Sequence, residues 1–158
     1  MNALKTGVNR HTALRLLLVA VVGFSLPAFS ADEAPRAGKW RVVNYWSEWC
    51  APCRIEIPML NILSRELSAQ GVAVVGVRWG EDPRALTLDI AEELEIEFPV
   101  LTNEEVARLG LRPPDVLPTT YLLAPDGEVV AKLIGMQTDD EIRQQLVTKG
   151  ALLDEDGD

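Results

Sequence analysis

The chain has 158 residues, 47% of them hydrophobic, with 15 basic and 24 acidic side chains and a net charge of −9. That acidity excludes a nucleic-acid partner, whose phosphates are held by clustered Lys and Arg. Two cysteines and a single histidine, His11, also exclude a structural zinc centre, which needs about four ligands. At the N-terminus, Lys5, Arg10 and Arg15 lead into an apolar stretch at residues 16–26, and Ala28 and Ser30 then stand three and one residues before a cut ahead of Ala31. Residues 1–30 therefore read as a secretory signal peptide, the alternative being an uncleaved N-terminal anchor. The apolar stretch falls short of the roughly 20 residues that a spanning helix needs. Removing the segment leaves 12 basic against 24 acidic side chains, a net charge of −12. Residues 31–37 read as a short linker, 38–153 as one domain without internal repeats, and 154–158 as a solvated acidic tail.

Within the domain, elements of the two kinds alternate. "WRVVNYW" (Trp40–Trp46) and "VAVVGV" (residues 72–77) are rich in β-branched and aromatic residues and read as buried strands, with a helix over residues 53–69 between them. A β-α-β unit of this kind implies parallel strands. Asp82 as N-cap and Pro83 at the first helical position predict a second helix running to about Glu95. "FPVL" is then a short strand, and residues 103–109 a brief helix. "TTYLLAPDGEVVAKLIG" reads as an antiparallel hairpin turning at Pro125, Asp126 and Gly127. A final amphipathic helix begins near Thr138. The expected fold class is α/β, a mixed sheet with helices on both faces.

The two cysteines stand in "YWSEWCAPCRIEIP", separated by Ala51 and Pro52. Cys50 falls where the first strand ends and the helix begins, so its sulfur can face the unpaired N–H groups and positive end of that helix. Thiols so placed have pKa values of ~3.5 to 7.5, and the thiolate is the form that attacks a disulfide. Cys53 lies one turn further in and more shielded, which makes Cys50 the attacking and Cys53 the resolving thiol. A purely structural bridge across so short a loop removes little unfolded-state entropy. Two soft thiolates alone can take Cu(I), so copper binding is the competing reading.

"VVNYWSEWCAPCRIEIPML", "VAVVGVRWGEDPRAL", "FPVL" and "LPTTYLLAPDGEVV", spread in this order between about residues 38 and 135, resemble the TlpA/ResA/DsbE-type thioredoxin-like proteins of the bacterial envelope. The resemblance implies a thioredoxin-like fold, a mixed parallel/antiparallel central sheet flanked by helices, with a family-type inserted helix and strand. It implies that Pro118 is cis and sits against the cysteine pair, where the backbone around Leu117 and Thr119 binds a substrate chain as an added strand; the alternative is a trans proline at an edge strand. Asn44 stands where thioredoxins bury an aspartate. The resemblance therefore points to Glu81 in "WGEDP" as a part-buried acid relaying a proton to Cys53, against a solvated loop acid supporting the helix start. Glu56 matches the family's acid three residues after the second cysteine, with a surface helix carboxylate as the alternative. Arg54 either favours the Cys50 thiolate or is solvated. Trp49 is expected to cover the reactive sulfur and, with Ala51 and Pro52, to form the docking surface, while Trp40 and Trp46 point to the core. Gly135 either leaves room for a partner's backbone or simply ends a strand.

Ala-Pro between the cysteines lacks the histidine of strongly oxidising relatives, which favours reduction of partner disulfides. The function expected is a thiol–disulfide oxidoreductase of the bacterial periplasm, without cofactor or metal. Its expected partners are disulfide-containing envelope proteins, apocytochrome c or copper-site proteins, with a membrane thiol reductase as electron donor. The alternatives are a Cu(I)-binding or redox-inactive module, and an inner-membrane anchorage facing the periplasm. Only "ADEAPRA" separates the expected cut from Gly38, so the N-terminal hairpin usual in the family looks missing or minimal.

Overall fold

The structure is a computed structural model, and it describes residues 38–153. The signal or anchor segment, the linker and the acidic tail lie outside the described residues. The elements, in chain order, are β1 (Trp40–Trp46), α1 (Ala51–Ala69), β2 (Val72–Arg78), α2 (Arg84–Glu93), α3 (Asn103–Arg108), β3 (Thr119–Leu123), β4 (Val129–Ile134) and α4 (Asp139–Thr148). The sheet order is β2-β1-β3-β4. β1 runs parallel to β2, as the intervening helix requires, and antiparallel to β3, which closes a hairpin with β4. This is the mixed sheet that the sequence predicts.

The central strand β1 is buried on both faces, which is why it is a nearly continuous apolar run rather than an alternating one. Its alternate side chains separate two cores. Val42 packs with Leu60, Leu63 and Leu67 of α1 and with Ile142 and Leu146 of α4. Val43 and Tyr45 pack on the opposite face with Val106 and Leu111, in and after α3. A third cluster, at the C-terminal end of β1, gathers Trp46, Cys50, Cys53, Ala91 and Val100. That cluster fixes the cysteines to the core.

The structure corrects three boundaries. Helix α1 begins at Ala51, with Cys50 itself as the N-cap, two residues before the expected start. Helix α2 begins after Pro83 without a side-chain cap, the Asp82 carboxylate being engaged by Arg78 four residues earlier, and it ends at Glu93. "FPVL" forms a single parallel bridge, Gly76 to Val100, rather than a strand. Gly76 N–H donates to the Pro99 carbonyl and Leu101 N–H to the Gly76 carbonyl, both at 2.8 Å. Pro99 has no N–H to extend the ladder, and Thr102 already turns the chain into α3. Gly76 also lies under the Phe98 ring and the Trp46 indole, where a β-carbon would stand 2.7 and 2.8 Å from their nearest atoms.

Helices α3 and α4 both start with capping boxes. Thr102 pairs reciprocally with Glu105, and Thr138 with Glu141. Each arrangement satisfies two of the N–H groups that a helix start leaves without partners. Thr138→Ala is expected to destabilise the fold by about 1 kcal/mol. Urea unfolding should show a lower midpoint at unchanged slope.

Candidate functional site

After β1 the chain makes a tight turn through Ser47, Glu48 and Trp49, closed by a bond from Cys50 N–H to the Ser47 carbonyl at 3.2 Å. Cys50 has extended backbone angles, and its Sγ accepts the Cys53 N–H at 3.3 Å, so the sulfur caps the helix where amide dipoles converge. The two sulfurs form a disulfide, with the Cα atoms 5.3 Å apart. Cys50 is 5% exposed and Cys53 1%, so the N-terminal sulfur is the reachable one. Opening the bond leaves a Cys50 thiolate stabilised by the same helix start.

The residues that the sequence singled out around the disulfide divide by exposure. Trp49 is exposed, edge-on to Trp79 with ring centroids 5.8 Å apart. Ala51 and Pro52 are exposed at the helix tip. Leu117 packs against the Trp46, Cys50 and Cys53 cluster. The Leu117–Pro118 peptide is cis, and Pro118 is buried. Thr119 is fully buried, its hydroxyl donating to the Val116 carbonyl at 2.8 Å. Gly135 N–H donates to the Pro118 carbonyl at 2.9 Å. With φ +88 and open space where a β-carbon would be, Gly135 both suits the backbone turn there and leaves room above it. Trp46 is in the core and Trp40 is half-buried beside it, as expected.

The acids exchange places. Glu81 is exposed, beside an apolar cavity of about 410 Å³ lined by Trp79, Val106, Ala107, Leu111 and Pro113. The expectation of a part-buried Glu81 is thereby corrected: the loop after Gly80 runs outward, held by Asp82 rather than by its neighbour. Glu56 is 2% exposed, on the same buried face of α1 as Cys53 one turn earlier. Its carboxylate accepts from Asn44 Nδ2 at 3.4 Å and from the Gln137 N–H at 3.3 Å. Burial pushes its pKa up from 4.5 to about 7, and these hydrogen bonds only partly oppose the rise. Asn44 also donates to Thr120 Oγ1 at 3.0 Å, so the amide orients the acid. Arg54 is exposed. Among the described residues no cluster of three His, Cys, Asp or Glu side chains is placed to hold a metal ion.

Sequence reasoning missed an ion network beside the turn. Arg78, its side chain 9% exposed at the end of β2, donates from Nε to Glu48 Oε2 at 3.1 Å and from its terminal nitrogen to Glu48 Oε1 at 2.6 Å. It also pairs with Asp82. A charged residue directly after an apolar strand was the available signal.

A family model described as the AhpC/TSA family matches residues 24–132. The chain belongs to this family. Thiol-disulfide oxidoreductase ResA of Bacillus cereus (strain ZK / E33L) is 31% identical, the match covering 83% of this chain and 90% of the relative. The ResA of Geobacillus thermodenitrificans is 33% identical, over 69% of this chain and 62% of its own length. Among solved structures, a DsbF homologue from Corynebacterium diphtheriae superposes with a TM-score of 0.57 at 26% identity, covering 70% of this chain and 71% of that one. StoA from Bacillus subtilis shares the fold, with a TM-score of 0.58 at 22% identity over 70% and 84% of the two chains. With a helix-capping Cys-x-x-Cys disulfide on this thioredoxin-like fold, the chain is a thiol–disulfide oxidoreductase, a protein disulfide reductase.

Proposed function

We propose that the protein works in the periplasm of a bacterial envelope, exported by its N-terminal segment, and reduces disulfides of partner proteins there, with Cys50 as nucleophile and Cys53 as resolving thiol. The observation that carries this reading is the pairing of a capping, reachable Cys50 with a buried Cys53 that shares its helix face with Glu56. The Cys50 thiolate attacks one sulfur of the partner's disulfide, forming a mixed disulfide and expelling the other sulfur as a thiolate. The Cys53 thiolate then attacks Cys50, releasing the partner's second thiolate and closing the Cys50–Cys53 bond. Two electrons pass to the partner, whose two thiolates take up two protons. Glu56, titrating near 7, accepts the proton of Cys53 as that sulfur becomes the attacking group. This assigns to Glu56 the relay that the family resemblance implies for Glu81.

Trp49, Ala51 and Pro52 supply the apolar docking surface, and the partner's backbone lies beside half-buried Leu117 at the cis peptide, near Gly135; Thr119, expected to share this role, is fully buried and paired with Tyr45 and Ile134 on its two sides, which leaves it no free edge. The partners proposed are envelope proteins whose cysteine pairs must stay reduced, apocytochrome c at its haem-attachment cysteines or copper-site proteins. A membrane thiol reductase returns the two electrons. Turnover of a protein disulfide, measured beside the Cu(I) affinity of the reduced protein, tests the reading. Catalytic exchange is expected; tight copper binding without exchange would replace the reductase with a copper-handling role.

A further inference from the structure

Exposed tryptophans are costly to hold in one place, yet Trp49 stands well out into solvent directly before the nucleophile. What fixes it lies on β2. Arg78 is in register with Trp46 at the ends of the paired strands. From there its guanidinium reaches Glu48, the residue that joins Ser47 to Trp49, through two nitrogens, while its third nitrogen holds Asp82. The fork matches a carboxylate's geometry in a way a lysine ammonium does not. Glu48 in turn accepts from the fully buried Ser47 hydroxyl at 3.1 Å. The next residue, Trp79, donates its backbone N–H to the Trp46 carbonyl at 2.8 Å and its indole N–H to the Pro114 carbonyl at 3.1 Å, and presents its ring edge-on to Trp49. Two consecutive residues of β2 and its loop therefore brace the turn that carries Trp49 and Cys50.

We propose that Arg78 is a positioning residue for the disulfide site: by bridging Glu48 and Asp82 it holds the turn that presents Trp49 and offsets an acid two residues from the Cys50 sulfur. The inference deepens the exchange reading, on which it rests. The charges make it specific. Glu48, Arg78 and Asp82 together carry −1; without the arginine the cluster carries −2, and without the glutamate it is neutral. Mutual hydrogen bonding holds Glu48 below the usual carboxylate range and Arg78 above its own, so this pair is ionised at neutral pH. An acid left without its counter-charge opposes formation of a thiolate close by, whereas a bare guanidinium favours it. The other charged groups on the segments framing the sulfur are Arg54 and Glu56 on α1, Glu81 in the loop after β2, Arg112 and Asp115 before the cis-proline, and Arg84, Asp89, Glu92 and Glu93 on α2, whose Ala91 packs in the cysteine cluster; these are common to every variant below.

The test is the pH profile of Cys50 alkylation by iodoacetamide in the reduced protein, with the modified residue identified by mass spectrometry. Arg78→Met is expected to raise the apparent thiol pKa, lowering the alkylation rate at neutral pH about three- to tenfold. Glu48→Gln should move it in the opposite direction. The double variant Glu48→Gln with Arg78→Met, whose cluster again carries −1, should return toward the native profile, and Arg78→Lys should restore the titration while leaving the KM for a protein disulfide raised. A purely structural arginine would not produce opposite signs or mutual rescue. An unchanged profile in Arg78→Met, movement of both single variants in one direction, or failure of the double variant to recover would overturn the proposal. Should Arg78→Met not fold, Glu48→Gln alone decides by the sign of its shift. Alkylation does not depend on partner turnover, so these results stand apart from any failure of the reductase reading.

Discussion

Cys53→Ser is expected to accumulate covalent complexes between Cys50 and partner proteins that a thiol reductant releases, while Cys50→Ser forms none. The asymmetry follows from the positions of the two sulfurs: Cys50 caps α1 and is the more exposed, whereas Cys53 sits inside the first turn at 1% exposure. Attack on an outside disulfide is open only to the first. Both substitutions should bring multiple-turnover reduction down to the uncatalysed rate, and the difference between them lies in what is trapped. Proteins recovered from the native envelope with Cys53→Ser would identify the partner class, apocytochromes or copper-site proteins. Equal trapping by both variants, or none by either under oxidising conditions, would mean that the nucleophile is wrongly assigned.

Glu56→Gln is expected to flatten two pH profiles near neutrality. The first is exchange, where loss of a group titrating at about 7 should remove the corresponding inflection and slow the resolving step; Glu81→Gln, at an exposed loop position, should leave that inflection in place. The second is stability. Because burial raises the folded-state pKa of Glu56 from 4.5 to about 7, the native protein holds a proton there that the unfolded chain releases. The native state gains from this most fully below pH 4.5, and the gain is lost as pH rises through 7. It amounts to about 3 kcal/mol across that window. A glutamine does not titrate, and its single oxygen can keep only one of the two hydrogen bonds that the Glu56 oxygens accept from Asn44 and Gln137, so the variant should be less stable at pH 4 and should show a smaller change between pH 4 and pH 8. Chemical denaturation of the oxidised form at several pH values measures it. Parallel curves for the two proteins would place the titration elsewhere.

How much was legible in the sequence depends on how local the cause was. The strands β1 and β2 and the capping role of the first cysteine follow from a few adjacent residues, and the reading placed them within two positions. Asp82 was misassigned as a helix cap because the competing partner, Arg78, lies at the end of a strand, and strand geometry decides where its guanidinium points. "FPVL" has strand composition, but its pairing depends on a proline and on the single glycine it meets. Glu56 was recoverable in principle. Helical spacing puts it with Cys53, Ile57 and Leu60 on one face. The signal was blurred because the opposite face carries Ile55 and Ile62, 68% and 51% exposed, so apolar residues surround the helix on nearly all sides. Which side faced the core was a tertiary fact. Glu81 was expected to be buried through resemblance alone, and nothing in its own loop draws it inward.

Tolerance to mutation at the redox site is set partly from a residue that carries no chemistry. Any side chain at Gly76 would push on the Phe98 ring and on the Trp46 indole, and Trp46 shares a packed cluster with both cysteines. Overpacking of this kind typically costs about 1–3 kcal/mol. A single added methyl group on β2, 23 positions from Cys53 along the chain, would therefore be felt as a shift in the wall against which the disulfide rests. The exposed helix tip, by contrast, is bordered by solvent and free to vary: Ala51 and Pro52 can be exchanged without disturbing anything packed beneath them. Relatives built this way can diverge at the dipeptide between the sulfurs, and so in redox character, while the packing behind the sulfurs stays under tight constraint.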